Sequence, residues 1–183
     1  MKPAHRPSQR AAALDAALDL LRTGARLSLD SAARAAGLSK PGLMYHFPTK
    51  EALVVALVDH LVDDHERTFV ALLPGDGSDP SPRERIDAYL EWSVTHAHDA
   101  ADLVALSDPG LREVMAARWA ERFRPWLDVP TELPADERAR LQAVRLLADG
   151  CWLADATDIL PVPAEDRAAL LATARRLLAG GDA

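Results

Sequence analysis

Residues 28–47 read SLDSAARAAGLSKPGLMYHF. Ser28 can cap a short helix that runs through Ala36, with Ala32, Ala33 and Ala36 as a small packing face. Gly37 ends it, because glycine accepts the left-handed backbone that closes a helix. Ser39 can cap another, very short helix reaching Tyr45. The order is helix, tight turn, helix, which is helix-turn-helix spacing. The second helix of such a unit fits the ~12 Å major groove of DNA with its N-terminal residues against base edges. Spacing alone fits an ordinary helical hairpin in a bundle equally well.

Helical signals continue on both sides. Upstream, Ser8 is a candidate cap, Leu14, Leu18 and Leu21 form one stripe, and Gly24 closes the helix. Downstream, Pro48 breaks the chain and Thr49 can cap a long helix with Glu51 in its first turn, where the dipole favours a carboxylate. Leu53, Leu57, Leu61, Phe69 and Leu72 give that helix its core stripe. Residues 74–81, PGDGSDPS, are the clearest loop. Ser81 and Glu84 have capping-box spacing with Pro82 at the first helical position, opening a helix expected to reach about Asp99. A short segment over 101–107 leads to Asp108-Pro109-Gly110 and a helix to about Leu127. Two final helices open alike, at Pro134-Ala135-Asp136-Glu137 and Pro163-Ala164-Glu165-Asp166. Strand signals are nearly absent. The expected fold is all-α, with about nine helices.

Composition bounds the function. Of 183 residues, 49% are hydrophobic and 27% charged, so a packed core forms and wholesale disorder is excluded. No apolar run approaches the ~18 residues of a membrane span. The polar start, MKPAHRP, lacks the apolar core of a signal peptide. A single cysteine, Cys151, excludes an intrachain disulfide framework and a multi-cysteine zinc site. A cytoplasmic protein without membrane association is expected. The net charge of −7 hides a split. Residues 1–50 hold eight basic residues against three acidic, a net +5, and the remaining 133 hold 13 against 25, a net −12. A basic module facing a polyanion, joined to an acidic body, accounts for that asymmetry.

Ser39-Lys40, Leu43, His46-Phe47 and Pro48-Thr49-Lys50-Glu51-Ala52-Leu53 make the reading specific. Over residues 8–61 the chain resembles the N-terminal domain of the TetR family of bacterial transcriptional regulators. Residues 147–155, LADGCWLAD, resemble a segment of one C-terminal subgroup. The resemblance implies a DNA-binding domain over 1–50, with its helix-turn-helix at 28–47, and a helical ligand-binding and dimerisation domain over 51–183. It implies that Lys40 and Pro41 face bases, that Tyr45, His46 and Lys50 contact phosphates, and that Ser28 and Ser39 offer hydroxyls and helix N-termini to phosphates. Leu38, Leu43 and Phe47 would hold the small core. Two positions depart from the common pattern. Gly42 stands where threonine is frequent, losing a hydroxyl and weakening the helix by ~1 kcal/mol relative to Ala. Met44 stands where tyrosine is frequent, and Tyr45 replaces it only partly, because one helical residue is a turn of ~100°.

The implied function is a homodimeric repressor on a roughly palindromic operator in double-stranded DNA, released by a small-molecule effector. The alternative is a DNA-binding protein that is constitutive or controlled by a protein partner. Trp92, His96, Trp119, Phe123, Trp126 and Trp152 are candidates for a pocket suited to an apolar or aromatic effector. The stripe Leu141, Val144, Ala148, Cys151 and the run Leu170, Leu171, Leu177 are candidates for the dimer interface. His60, Asp63, Asp64, His65 and Glu66, with His96, His98 and Asp99, could in principle bind metal, but a solvated charged face explains them better, and no metal is expected. No nucleophile elbow, phosphate-binding glycine loop or HExxH run is present, so neither an enzyme nor a cofactor is expected.

Overall fold

The computed structural model describes residues 8–75, 79–106 and 112–180. The polar start at 1–7, the middle of the loop at 74–81 and the Asp108-Pro109-Gly110 turn lie outside the described residues. Among the described residues the fold is all-α, with eight α-helices and one 3-10 helix. In order these are α1 (Gln9–Arg22), α2 (Leu29–Ala35), α3 (Lys40–His46), α4 (Lys50–Val70), α5 (Pro82–Thr95), the 3-10 helix (Ala100–Leu106), α6 (Arg112–Leu127), α7 (Ala135–Thr157) and α8 (Ala164–Ala179). No described helix is long and apolar enough to cross a membrane.

The expected start signals act through hydrogen bonds. Ser8, Ser39 and Ser81 each accept, through the side-chain oxygen, the backbone N–H three residues on. Thr49 does the same for Ala52 at 3.0 Å. Each bond satisfies one of the orphan donors of a first turn. Gly24 and Gly37 close α1 and α2 with φ of +74° and +65°. At α7 and α8 the cap position is Pro134 and Pro163, with no side-chain cap bond. Acidic pairs in the first turn, Asp136 with Glu137 and Glu165 with Asp166, meet the dipole there instead.

α5 stops at Thr95, four residues before the expected end. His96 turns to extended backbone, and the Arg167 guanidinium donates to the freed Val94 carbonyl at 2.8 Å. A cation from α8 thus takes over at the end of α5.

Backbone contacts divide the chain into two compact units. One comprises residues 1–63 with 100–119, the other residues 64–99 with 120–183. In the first, α1 packs on α2 and on the 3-10 helix, and α2 packs on α3. Leu14, Leu18, Ala32, Leu43, Phe47, Leu53 and Leu57 are buried there. In the second, α5, α7 and α8 pack on one another. Ile86, Leu90, Trp92, Leu141, Val144, Ala148 and Leu178 are buried there.

This packing bears on the expected dimer stripe. Leu141, Val144, Ala148 and Cys151 face the protomer's own core, because that side of α7 meets α5 and α8. Leu170 and Leu171 are half-buried, and only Leu177 of the expected set is exposed. A different α7 stripe faces outward, formed by Ala139, Ala143, Leu146, Gly150 and Leu153, all exposed. Its 4-3-4-3 spacing is that of a helix–helix seam.

Candidate nucleic-acid interface

The helix-turn-helix is rigid by local chemistry. Ser28 and Ser31 form a reciprocal capping box at the start of α2, where glutamate or glutamine is the usual second partner. The Gly37 N–H reaches the Arg34 carbonyl at 3.1 Å and the Leu38 N–H reaches that of Ala33 at 2.8 Å, so the turn between α2 and α3 is pinned. Leu43 of α3 and Phe47, the residue that caps its C-terminus one turn on, are fully buried. The opposite face carries Pro41, Met44 and Tyr45, exposed like Lys40 at the first position of the helix, Tyr45 to 85%. Spacing of i, i+3 and i+4 makes Pro41, Met44 and Tyr45 one surface.

The remaining expected DNA contacts lie on α3 and at the starts of α2, α3 and α4. Ser39 is exposed at the α3 N-terminus, where its oxygen accepts the Gly42 N–H at 3.2 Å and its own O–H is left to donate. A Cβ at Gly42 would lie 3.2 Å from that same oxygen, so a side chain there crowds the cap. His46, half-buried, meets the Tyr45 ring edge-on at a centroid distance of 5.2 Å. Lys50 opens α4, and Ser28, half-buried, is committed to its capping box. Arg10, which sequence reasoning passed over, lies with its guanidinium 5.0 Å from the Phe47 ring centroid. A lone arginine near a helix start carries no signal of which ring it will cover.

The expected pocket residues fall in both units. Trp119 belongs to the first unit, and the other five belong to the second. Trp92 is core, only 2% exposed, stacked on Tyr89 at 5.7 Å and on His96 at 5.8 Å. His65 and His98 press on the same indole at 4.9 and 4.6 Å. Phe123 is buried, and Trp126 and Trp152 are half-buried. The Trp126 indole N–H donates to Glu66 at 3.0 Å, and Arg122 donates to the other Glu66 oxygen at 3.1 Å. Tyr89, absent from the expected set, donates its hydroxyl to Asp149 at 2.8 Å, and Arg145 holds the second oxygen of that carboxylate at 2.6 Å. Burial first, then the Asp149 charge, pushes the Tyr89 phenol well above its ordinary value.

Asp59 and Asp64 of α4 pair with arginines of α6 and of α4 itself, and His60 of α4 meets a carboxylate of α1. His60 meets Asp15 at 2.6 Å, Arg118 donates to Asp59 at 2.6 Å and Arg67 donates to Asp64 at 2.8 Å. Among the described residues no group of three or more histidine, cysteine or carboxylate side chains converges as a metal site. The solvated-face reading fails at His65, which is buried against Trp92.

Known proteins fit this arrangement at both ends. The family described as bacterial regulatory proteins, tetR family, matches residues 13–57, and that described as tetracyclin repressor-like, C-terminal domain, matches residues 83–179. The HTH-type transcriptional regulator EthR of Mycolicibacterium smegmatis is 31% identical over 144 residues, covering 74% of this chain and 64% of the relative. Its counterpart in Mycobacterium tuberculosis is 28% identical over 131 residues, covering 67% and 57%. The chain thus spans less than two thirds of the length of these curated relatives. A TetR-family regulator structure from Rhodococcus sp. shares the fold, with a TM-score of 0.66 at 18% identity over 94% of this chain and 99% of that one. The multidrug binding protein EbrR complexed with malachite green aligns with a TM-score of 0.63 at 25% identity over 93% of this chain and 98% of that one. Matched across its head and across more than half its length by the C-terminal description, the chain belongs to the TetR family of bacterial transcriptional regulators, a family of regulators and not of enzymes.

Proposed function

We propose that this protein is a cytoplasmic, homodimeric repressor that binds a roughly palindromic DNA operator and leaves it when a small molecule binds its body. The exposed face of α3 carries this reading: Pro41, Met44 and Tyr45 lie outward, with Lys40 exposed at the first position, on a helix whose other side is locked by Leu43 and Phe47. Residues 1–50 would serve as the DNA-binding domain, with Lys40, Pro41, Gly42 and Met44 toward bases and Ser28, Ser39, Tyr45, His46 and Lys50 toward phosphates. Residues 51–183 would serve as the effector and dimerisation domain. Two α3 helices would enter successive major grooves about 34 Å apart.

The exposed stripe of Ala139, Ala143, Leu146, Gly150 and Leu153 supports an isologous dimer seam. A Cβ at Gly150 would meet nothing within 4 Å, so this position leaves room for a partner helix to approach. The effector is an apolar or aromatic compound in contact with the aromatic residues of the body. EbrR, 25% identical, is described as a multidrug binding protein and was crystallised with malachite green. Release requires an effector that binds the DNA-free state better, and the coupling is reciprocal. Selecting bound sequences from random DNA tests the reading. Enrichment of a two-fold symmetric site, lost in Lys40→Ala, supports it, and no enrichment overturns it.

A further inference from the structure

The second unit holds a pocket that shares only His96 with the residues expected to meet an effector. It measures about 400 Å³ and is lined by Thr95, His96, His98, Asp155, Pro161 and Arg167. These residues come from the end of α5, the segment just after it, the end of α7, the α7–α8 loop and the start of α8.

Arg167 decides its chemistry. A guanidinium carries five N–H donors. Three are engaged, with the Val162 carbonyl at 3.2 Å, the Val94 carbonyl at 2.8 Å and Asp155 at 2.7 Å. Two remain, on a side chain held in place from three directions. The bond to Asp155 raises the already high pKa of Arg167, so the cation is permanent. Asp155 is the one carboxylate in the lining, and it is recessed: its side chain is 10% exposed against 26% for Arg167. An incoming anion therefore meets the guanidinium ahead of the carboxylate. His96 and His98 complete the wall. Behind them lies the buried Trp92 indole, whose N–H has no hydrogen-bond partner among the described residues. The His96 ring is itself held in place, stacked on Trp92 at an interplanar angle of 20°.

We propose that this pocket binds a small aromatic carboxylate, with the carboxylate on the free edge of Arg167 and the ring against His96. A preorganised guanidinium suits a planar carboxylate because little side-chain entropy remains to be lost on binding. The site is independent of the DNA-binding reading, and its test uses no DNA.

Three probes of one shape and different charge decide it: benzoate, benzamide and benzamidine, titrated into the full chain by calorimetry and ligand-observed NMR. Saturable benzoate binding at least about tenfold tighter than benzamide, with benzamidine weaker still, is expected. His96→Leu, at a half-buried position outside the α5 helix, should weaken benzoate severalfold while the melting curve is kept. Arg167→Gln should abolish the charge preference, and His96→Leu decides alone if that variant fails to fold. Equal binding of all three probes, preference for benzamidine, no saturable benzoate binding, or a folded His96→Leu that binds benzoate unchanged would each overturn the proposal.

Discussion

The Lys40 ammonium lies 3.1 Å from Asp30 Oδ2, so in the DNA-free protein the candidate base-reading lysine of α3 is held by a carboxylate of α2. Both side chains are at least half exposed, so the pair is worth at most about 1 kcal/mol. DNA must take Lys40 from Asp30, and Asp30 repels phosphate on its own account. Asp30→Asn should therefore tighten operator binding by about two- to fivefold, and Lys40→Ala should weaken it and blunt discrimination among operator variants. Fluorescence anisotropy with labelled duplexes reads both, and weaker binding by Asp30→Asn would contradict this arrangement.

Lys50 stands at the first position of α4, beside the exposed Thr49. As a phosphate contact it carries no sequence information. Lys50→Ala should weaken all duplexes alike and lower the log–log salt slope by about one unit. Titrations from low to moderate salt check this, and an unchanged slope removes Lys50 from the interface.

Tyr89 gives the body a pH-dependent stability. Burial and Asp149 favour the neutral phenol in the folded chain, so its pKa is higher there than when unfolded. Above the ordinary tyrosine value of about 10 the unfolded chain binds fewer protons, so stability falls as pH rises. Below that value the contribution is fully present. Urea midpoints should be flat in this respect from pH 7 to 9 and decline beyond about pH 10. Tyr89→Phe should remove that part of the decline and cost about 1 kcal/mol at neutral pH through the lost bond to Asp149. An identical alkaline slope in Tyr89→Phe would disprove the assignment.

The two faces of α7 should separate stability from assembly. Leu141→Ala, in the core, should destabilise the protomer by about 2–5 kcal/mol. Leu146→Glu and Leu153→Glu, on the outer stripe, should leave the protomer folded and convert a dimer to monomers in analytical ultracentrifugation. A dimer that survives both outward substitutions would place the interface elsewhere.

Much of the fold was legible because its start signals are local. Ser8, Ser28, Ser39, Thr49 and Ser81 lie within three residues of the donors they satisfy, and Gly24 and Gly37 close the helices that they follow. The α3 face was legible for the same reason, since one short helix with Leu43 and Phe47 inward leaves Pro41, Met44 and Tyr45 outward. The end of α5 was not, because the group that replaces its next turn, Arg167, comes from 73 residues further on. The α7 stripe was legible only as apolar, because periodicity shows that a face is apolar without showing what covers it. Tyr89 and Arg10 escaped notice since their roles depend on partners on other helices, Asp149 and Phe47.

The ties of α8 have a consequence for synthesis of the chain. Arg167 reaches back 73 residues to Val94, and Arg175 reaches back 88 residues to Asp87 and 84 to Glu91. The caps and turns of α1, α2 and α3 span only a few residues each. On the ribosome the first helices can therefore form while the rest is still being made, whereas the second unit waits for its last helix to emerge. Until then the buried faces of α5 and α7 stand open to water, and a nascent chain stalled before Arg175 is the form most exposed to aggregation and proteolysis.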